Sequence, residues 1–135
     1  MPGDFFDSNI VLYLLDDGAK ADRAAALLAG GGTISTQVLN EVLVNCIRKA
    51  SMSWQEAGEF LSGVRAVCQV TDLSVSVHDV GRALGARYGF SVYDAMIVAA
   101  ALISGCERLF SEDLHHDLLV EGRLRIVNPF RDGLA

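Results

Sequence analysis

With 135 residues, 51% of them hydrophobic and 21% charged, the chain has the make-up of one globular domain and excludes intrinsic disorder. Its 17 acidic residues against 11 basic ones leave a net charge of −6, which excludes a plain nucleic-acid binder held by a basic surface. That balance leaves room for an enzyme whose acids hold divalent cations, because the ion reverses the local sign of charge.

Short apolar runs alternate with longer helical patterns, the signature of a parallel sheet covered by helices. Asp4-Phe5-Phe6-Asp7 is the first short run. Helical periodicity begins near Asn9, carries Ile10 to Leu15, and breaks at Asp16-Asp17-Gly18. An Ala-rich helix follows from Ala19 to Ala29 and stops at the turn Gly30-Gly31-Gly32. Thr33 to Ser35 reads as a second strand and Thr36 to Ala50 as a long helix. Ser53 and Glu56 form a capping-box pattern that opens a helix ending near Arg65. Val67 to Val70 is a third strand. A helix from Ser76 to Tyr88 ends at Gly89, suited to the left-handed residue after a helix. Ser91 opens the next helix, which runs to Ser104 and stops at Gly105. Arg108 to Phe110 is a fourth strand and Leu124 to Val127 a fifth. The expected fold is therefore a single-domain, three-layer α/β/α sandwich over residues 1–135, with a small, mainly parallel five-stranded sheet.

The longest strongly apolar run, Ala95 to Ile103, is far short of the roughly 20 residues of a membrane span, so no transmembrane helix and no membrane partner is expected. Asp4 and Asp7 precede any cation, unlike a secretory signal. Cys46, Cys68 and Cys106 are odd in number, far apart and set among apolar neighbours, without zinc spacing. They read as reduced core residues of a cytoplasmic protein.

In open α/β sheets ligands bind at the carboxyl ends of the strands, and acids stand there. Asp7 closes the first strand and Asp113 lies just past the fourth, in Ser111-Glu112-Asp113. Glu41 is the only acid in a helix otherwise populated by Val38, Leu39, Val42, Leu43, Val44 and Ile47, and an unpaired carboxylate there is costly without a cation or several donors. Asp94 is the only charged residue between Ser91 and Ser104, near the start of a helix apolar on every face and so buried all round. Each acid alone has an ordinary explanation. Asp7 can cap the following helix, Asp94 can complete a capping box with Ser91, Glu41 can face solvent beside Asn45, and Asp113 can cap a short helix. Together, four acids at one sheet edge would repel one another, and divalent cations relieve that repulsion. Magnesium and manganese prefer all-oxygen sites. Such ions activate water and stabilise charge on a phosphodiester undergoing in-line displacement.

Phe6-Asp7-Ser8-Asn9, Asn40-Glu41-Val42, Tyr93-Asp94-Ala95 through Ala101, Gly105-Cys106 and Ser111-Glu112-Asp113-Leu114, in this order and spacing, resemble the PIN-domain ribonucleases. The closing Arg125-Ile126-Val127-Asn128-Pro129-Phe130 resembles the end of the bacterial VapC-type toxins. The resemblance covers Phe5 to Phe130. It implies a Mg²⁺- or Mn²⁺-dependent endoribonuclease, usually a homodimer, acting on RNA and held inactive by a cognate antitoxin protein. It also implies Asp7, Glu41 and Asp94 as core metal ligands and Asp113 as a fourth acid. Ser8 and Ser111 would be hydroxyls close to the metal, and Asn9 would orient the site. One departure stands out. A glycine commonly follows the Ser-Glu-Asp-Leu stretch, and here Asp117 occupies that position, which leaves Glu112, Asp113 and Asp117 as candidates to complete the cluster. Asp113 is preferred because its two-residue step from Ser111 matches.

Two other readings remain. A phosphatase with an aspartyl nucleophile would usually place a second aspartate where Asn9 stands. A non-catalytic interaction module would keep the fold without binding metal. Other features carry less. Gly30-Gly31-Gly32-Thr33 lacks the lysine of a phosphate-binding loop. His115-His116 reads as a solvated loop, His78 as a surface or capping residue, and Trp54 as a packed residue. Arg48, Lys49, Arg82, Arg87 and Arg108 are either a basic rim for RNA or solvated surface.

Overall fold

The structure, a computed structural model, describes residues 3–131. Six strands form one sheet: β1 (Asp4–Phe6), β2 (Gly32–Ser35), β3 (Cys68–Thr71), β4 (Arg108–Phe110), β5 (Leu119–Val120) and β6 (Leu124–Val127). Six helices flank it: α1 (Ser8–Leu12), α2 (Ala19–Ala29), α3 (Thr36–Arg48), α4 (Trp54–Val67), α5 (Val75–Tyr88) and α6 (Val92–Ile103). The sandwich class is as expected, and the strand count is not. Leu119–Val120 is the additional strand, pairing antiparallel with β6. Its two residues are too few to show alternation. The turn that makes it is readable afterwards: Arg123 N–H donates to the Val120 carbonyl at 3.0 Å, and the central Glu121 and Gly122 both have positive φ, 51° and 68°. Such turns match the twist of a two-stranded ribbon.

The spatial order is β3-β2-β1-β4-β6-β5, and every pairing except β5 with β6 is parallel. The chain builds outward from β1 through β2 to β3, then returns to the other side of β1 with β4. The order therefore reverses between β1 and β4, where a crevice opens beyond the carboxyl ends of the strands. Phe5 and Phe6 of β1 are fully buried, and Phe6 stacks on Phe110 of β4 at 5.9 Å. Gly32 is needed at the start of β2, because a Cβ there would lie 2.4 Å from the Phe6 ring and 2.8 Å from the Asp4 carbonyl oxygen.

Helix entry follows side-chain chemistry. Ser35 accepts from Val38 N–H, Ser74 accepts from Val77 N–H, and Ser53 with Glu56 makes the full capping box expected there. Ser91 is the exception: it opens α6 without a side-chain cap, so the expected box with Asp94 is not made. The first helix is shorter than its periodicity implies, passing after Leu12 into a 3-10 turn over Tyr13–Leu15. Gly89 ends α5 in the left-handed conformation, φ 78°. Ala95 through Leu102 of α6 are all buried, as a helix apolar on every face requires. The three cysteines are buried and unpaired, and burial pushes the Cys68 thiol up to about 11. Trp54 does not pack: it is 73% exposed at the first turn of α4. Among the described residues no single helix is long and apolar enough to cross a membrane.

Candidate active site

Asp7 leaves β1 at the point of reversal and is only 3% exposed. Its backbone is tied to β4 by an N–H donated to the Phe110 carbonyl at 3.0 Å. Asp7 does cap α1, with Oδ1 accepting from Ser8 N–H at 2.7 Å. The cap uses one oxygen only, and Oδ2 accepts from the Ser111 hydroxyl at 2.7 Å and from Asn9 Nδ2 at 3.4 Å. Asn9 also donates to Asp113 Oδ2 at 3.0 Å, and its Oδ1 accepts from Glu112 N–H at 3.2 Å. This one amide thus joins the loop after β4 to the start of α1. No helix follows Asp113, which removes its capping explanation.

Glu41, one turn into α3, is half-buried rather than solvated. Its Oε1 accepts from the Ser8 hydroxyl at 2.8 Å and its Oε2 from Gln37 Nε2 at 2.7 Å. Asn45 turns instead to the Glu41 carbonyl oxygen at 2.8 Å. Gln37 received no role from the sequence, although its position four residues before Glu41 on the same helix face was the available signal. Asp94 stands half-buried in the first turn of α6.

The electrostatics join all four acids. Burial pushes Asp7 up to about 6; the Ser111 and Ser8 hydrogen bonds oppose this, while Asp94 and Glu41 add repulsion. Burial also raises Asp94, with repulsion from Glu41 and Asp113 added and the Ser91 hydroxyl opposing. Repulsion thus links Asp7, ahead of α1, with Glu41 of α3 and Asp94 of α6, and Asp94 with Asp113 of the loop after β4. Among the described residues none of them is paired with a lysine or arginine; the ion pairs lie elsewhere. Also among the described residues, no three acids are drawn close enough to enclose an ion as they stand. The Ser8 hydroxyl bridges Asp7 and Glu41, the Asn9 amide bridges Asp7 and Asp113, and Ser111 and Gln37 each donate to one of the acids. The donor set suits a hard cation: four carboxylates, no thiol and no paired base.

The neighbouring acids are otherwise engaged. Burial works against Glu112 ionising, but the Lys20 ammonium and the Tyr13 hydroxyl outweigh it and hold its carboxyl below the usual range. Asp117 pairs with Arg125 at 3.4 Å. Its φ of 69° lies in the left-handed region, which explains why glycine suits this position and why aspartate is among the residues that tolerate it. Asp113 is thus the one of the three in no ion pair among the described residues, and it receives the Asn9 amide.

Two clefts flank the acids. One, of about 460 Å³, is lined by Asp94, Asp113, Ser91 and His116 among others. The other, of about 520 Å³, lies between α3 and the start of α6 and is lined by Gln37, Asn40, Glu41, Val44, Asn45 and Tyr93. Much of the expected basic rim is neutralised, with Arg82 on Asp79, Arg87 on Glu121 and Arg108 on Asp4. Lys49 lines a third cleft of about 400 Å³ with Asn9, Tyr13 and Asn45. His116 is not free in its loop, since its Nδ1 accepts from Asn128 N–H at 2.9 Å.

Residues 5–120 match the PIN domain family. The chain belongs to that family. Solved structures share this PIN domain's fold. One in a toxin–antitoxin complex from Klebsiella pneumoniae superposes with a TM-score of 0.74 at 20% identity, covering 95% of this chain and 98% of that one. The DNA-bound VapBC of Salmonella typhimurium gives 0.69 at 20% identity, covering 93% and 98%. The sarcin–ricin-loop-cleaving toxin VapC20 of Mycobacterium tuberculosis gives 0.67 at 19% identity, covering 82% and 92%. No curated protein matches the sequence.

Proposed function

We propose that this PIN domain is a Mg²⁺- or Mn²⁺-dependent endoribonuclease, the toxin of a toxin–antitoxin pair. The observation that carries the reading is the gathering of Asp7, Glu41, Asp94 and Asp113 at the reversal point of the sheet, coupled by repulsion and unpaired with any base among the described residues. Family membership and the toxins of similar fold support it. These four carboxylates would hold the metal. Bound there, Mg²⁺ or Mn²⁺ supplies the Lewis acidity that activates water and offsets charge on the phosphodiester. The chain's own residues set the geometry. Ser8 fixes Glu41 through its hydroxyl and Asp7 through its N–H, Ser111 fixes the far oxygen of Asp7, and Asn9 sets Asp113 against α1. A water oxygen would add to phosphorus as the bond to the 3′ oxygen breaks, leaving a 5′-phosphate and a 3′-hydroxyl with no attack by the 2′-hydroxyl.

We further propose a homodimer acting in the cytoplasm and a cognate antitoxin that inhibits by directing a basic side chain at the acids. The purified protein should cut total RNA with Mg²⁺ or Mn²⁺ and stop with EDTA. Mapping the cut ends names the target. Cleavage that persists in EDTA, or calorimetry giving no heat with either ion in the presence or absence of RNA, would overturn the assignment.

A further inference from the structure

Gln37, Asn40, Glu41, Val44 and Asn45 recur at three- and four-residue spacing, so they form one stripe of α3. That stripe and Tyr93 enclose the cleft of about 520 Å³. We propose that this cleft is a nucleobase subsite, in which Tyr93 stacks on an unpaired base beside the scissile phosphate. The inference rests on the ribonuclease reading above.

Tyr93 is 64% exposed and Val44 47% exposed. A large aromatic ring left in water gains little for folding, and its face is free to take a flat partner. Base stacking on such a ring is tolerant of sequence and needs a base outside a duplex. The polar wall suits the edge of a base. Gln37 commits its amide nitrogen to the Glu41 carboxylate and Asn45 commits its own to the Glu41 carbonyl. Those partners are acceptors, so the orientation of both amides is set and their carbonyl oxygens are left to receive donors from a base. Position completes the argument. Glu41 belongs to both the cleft and the acidic site, and Tyr93 directly precedes Asp94. A base on Tyr93 therefore belongs to a nucleotide at or next to the phosphate being cut, and the substrate is single-stranded at that point.

The test uses a short, unstructured oligoribonucleotide spanning the mapped cut. With Mg²⁺, Tyr93→Ala should raise KM about tenfold or more while kcat changes little, and Tyr93→Phe and Tyr93→Trp should restore the wild-type KM. Binding is read separately in Asp7→Asn protein, with 2-aminopurine scanned across the oligonucleotide. One position should be quenched, and the quench should vanish in Asp7→Asn/Tyr93→Ala. An unchanged KM for Tyr93→Ala, or a Phe variant as defective as the Ala variant, overturns the subsite. So does a Tyr93→Ala protein whose oligomeric state shifts on size exclusion without a KM change, which would make this face a contact between copies. If the wild type cuts no RNA, the ribonuclease reading fails, and the same fluorescence titration, run on unstructured oligoribonucleotides of mixed sequence carrying 2-aminopurine, decides the subsite by whether a quench appears and is lost on Tyr93→Ala.

Discussion

Replacing Asp7 with Asn should make the protein more stable at neutral pH and less stable in acid. In the folded chain Asp7 is pushed from 3.8 up to about 6, so the native state holds the proton more tightly than the unfolded state. The stability this confers is present in full below about pH 4 and is lost as pH rises through 6. The two-unit difference corresponds to about 3 kcal/mol withdrawn at pH 7. The substituted amide never ionises and avoids that loss. It brings a different problem: its NH₂ group would face Ser111 Oγ, which already accepts from the Asp113 and Leu114 N–H groups at 3.3 Å each. A donor set against a saturated hydroxyl costs about 1–2 kcal/mol. The net at pH 7 is a gain of about 1–2 kcal/mol, or roughly 5 °C in Tm, and at pH 4 the order inverts. Urea unfolding in EDTA at both pH values, with wild type and Asp7→Asn side by side, measures this directly. A variant less stable than wild type at pH 7, or a difference that ignores pH, refutes the claim that a buried, repelled carboxylate sits there.

Other outcomes follow from the same contacts. Asp113→Asn should weaken Mg²⁺ binding in calorimetry and lower RNA cleavage sharply, whereas Glu112→Gln, whose carboxyl is held by Lys20 and Tyr13, should leave Mg²⁺ affinity near wild type. Ser8→Ala removes the hydroxyl on Glu41 and should lower kcat/KM about 10- to 100-fold with an unchanged circular dichroism spectrum. Gly32→Ala drives a Cβ toward the Phe6 ring and the Asp4 carbonyl and should destabilise by about 1–3 kcal/mol, read as a lower urea midpoint.

Much of the architecture was legible because long-period signals announce themselves. The uniformly apolar stretch in α6, the Ser53–Glu56 box that opens α4, and Gly89 all act within a few residues of where they appear. What escaped was either too short or too distant. A two-residue strand shows no alternation, and β5 was betrayed only by Glu121-Gly122. Tyr13–Leu15 tightens into a 3-10 turn while keeping apolar spacing. Trp54 looked like core because of its chemistry, yet at the first turn of α4 it faces water. The site divided in the same way. Strand ends and lone acids on apolar helices singled out the four carboxylates. The preference for Asp113 over Glu112 rested on the two-residue step from Ser111; that Lys20, 92 positions away, engages Glu112 is a partner no local pattern encodes.

The seating of β4 against β1 has a consequence for biosynthesis. Ser111 reaches Asp7 across 104 residues, so a nascent chain still short of β4 carries three of the acids without the strand that aligns them. The aligned site therefore waits on β4, and a fragment ending before it would carry those acids unaligned, a delay built into the order in which the ribosome delivers the pieces.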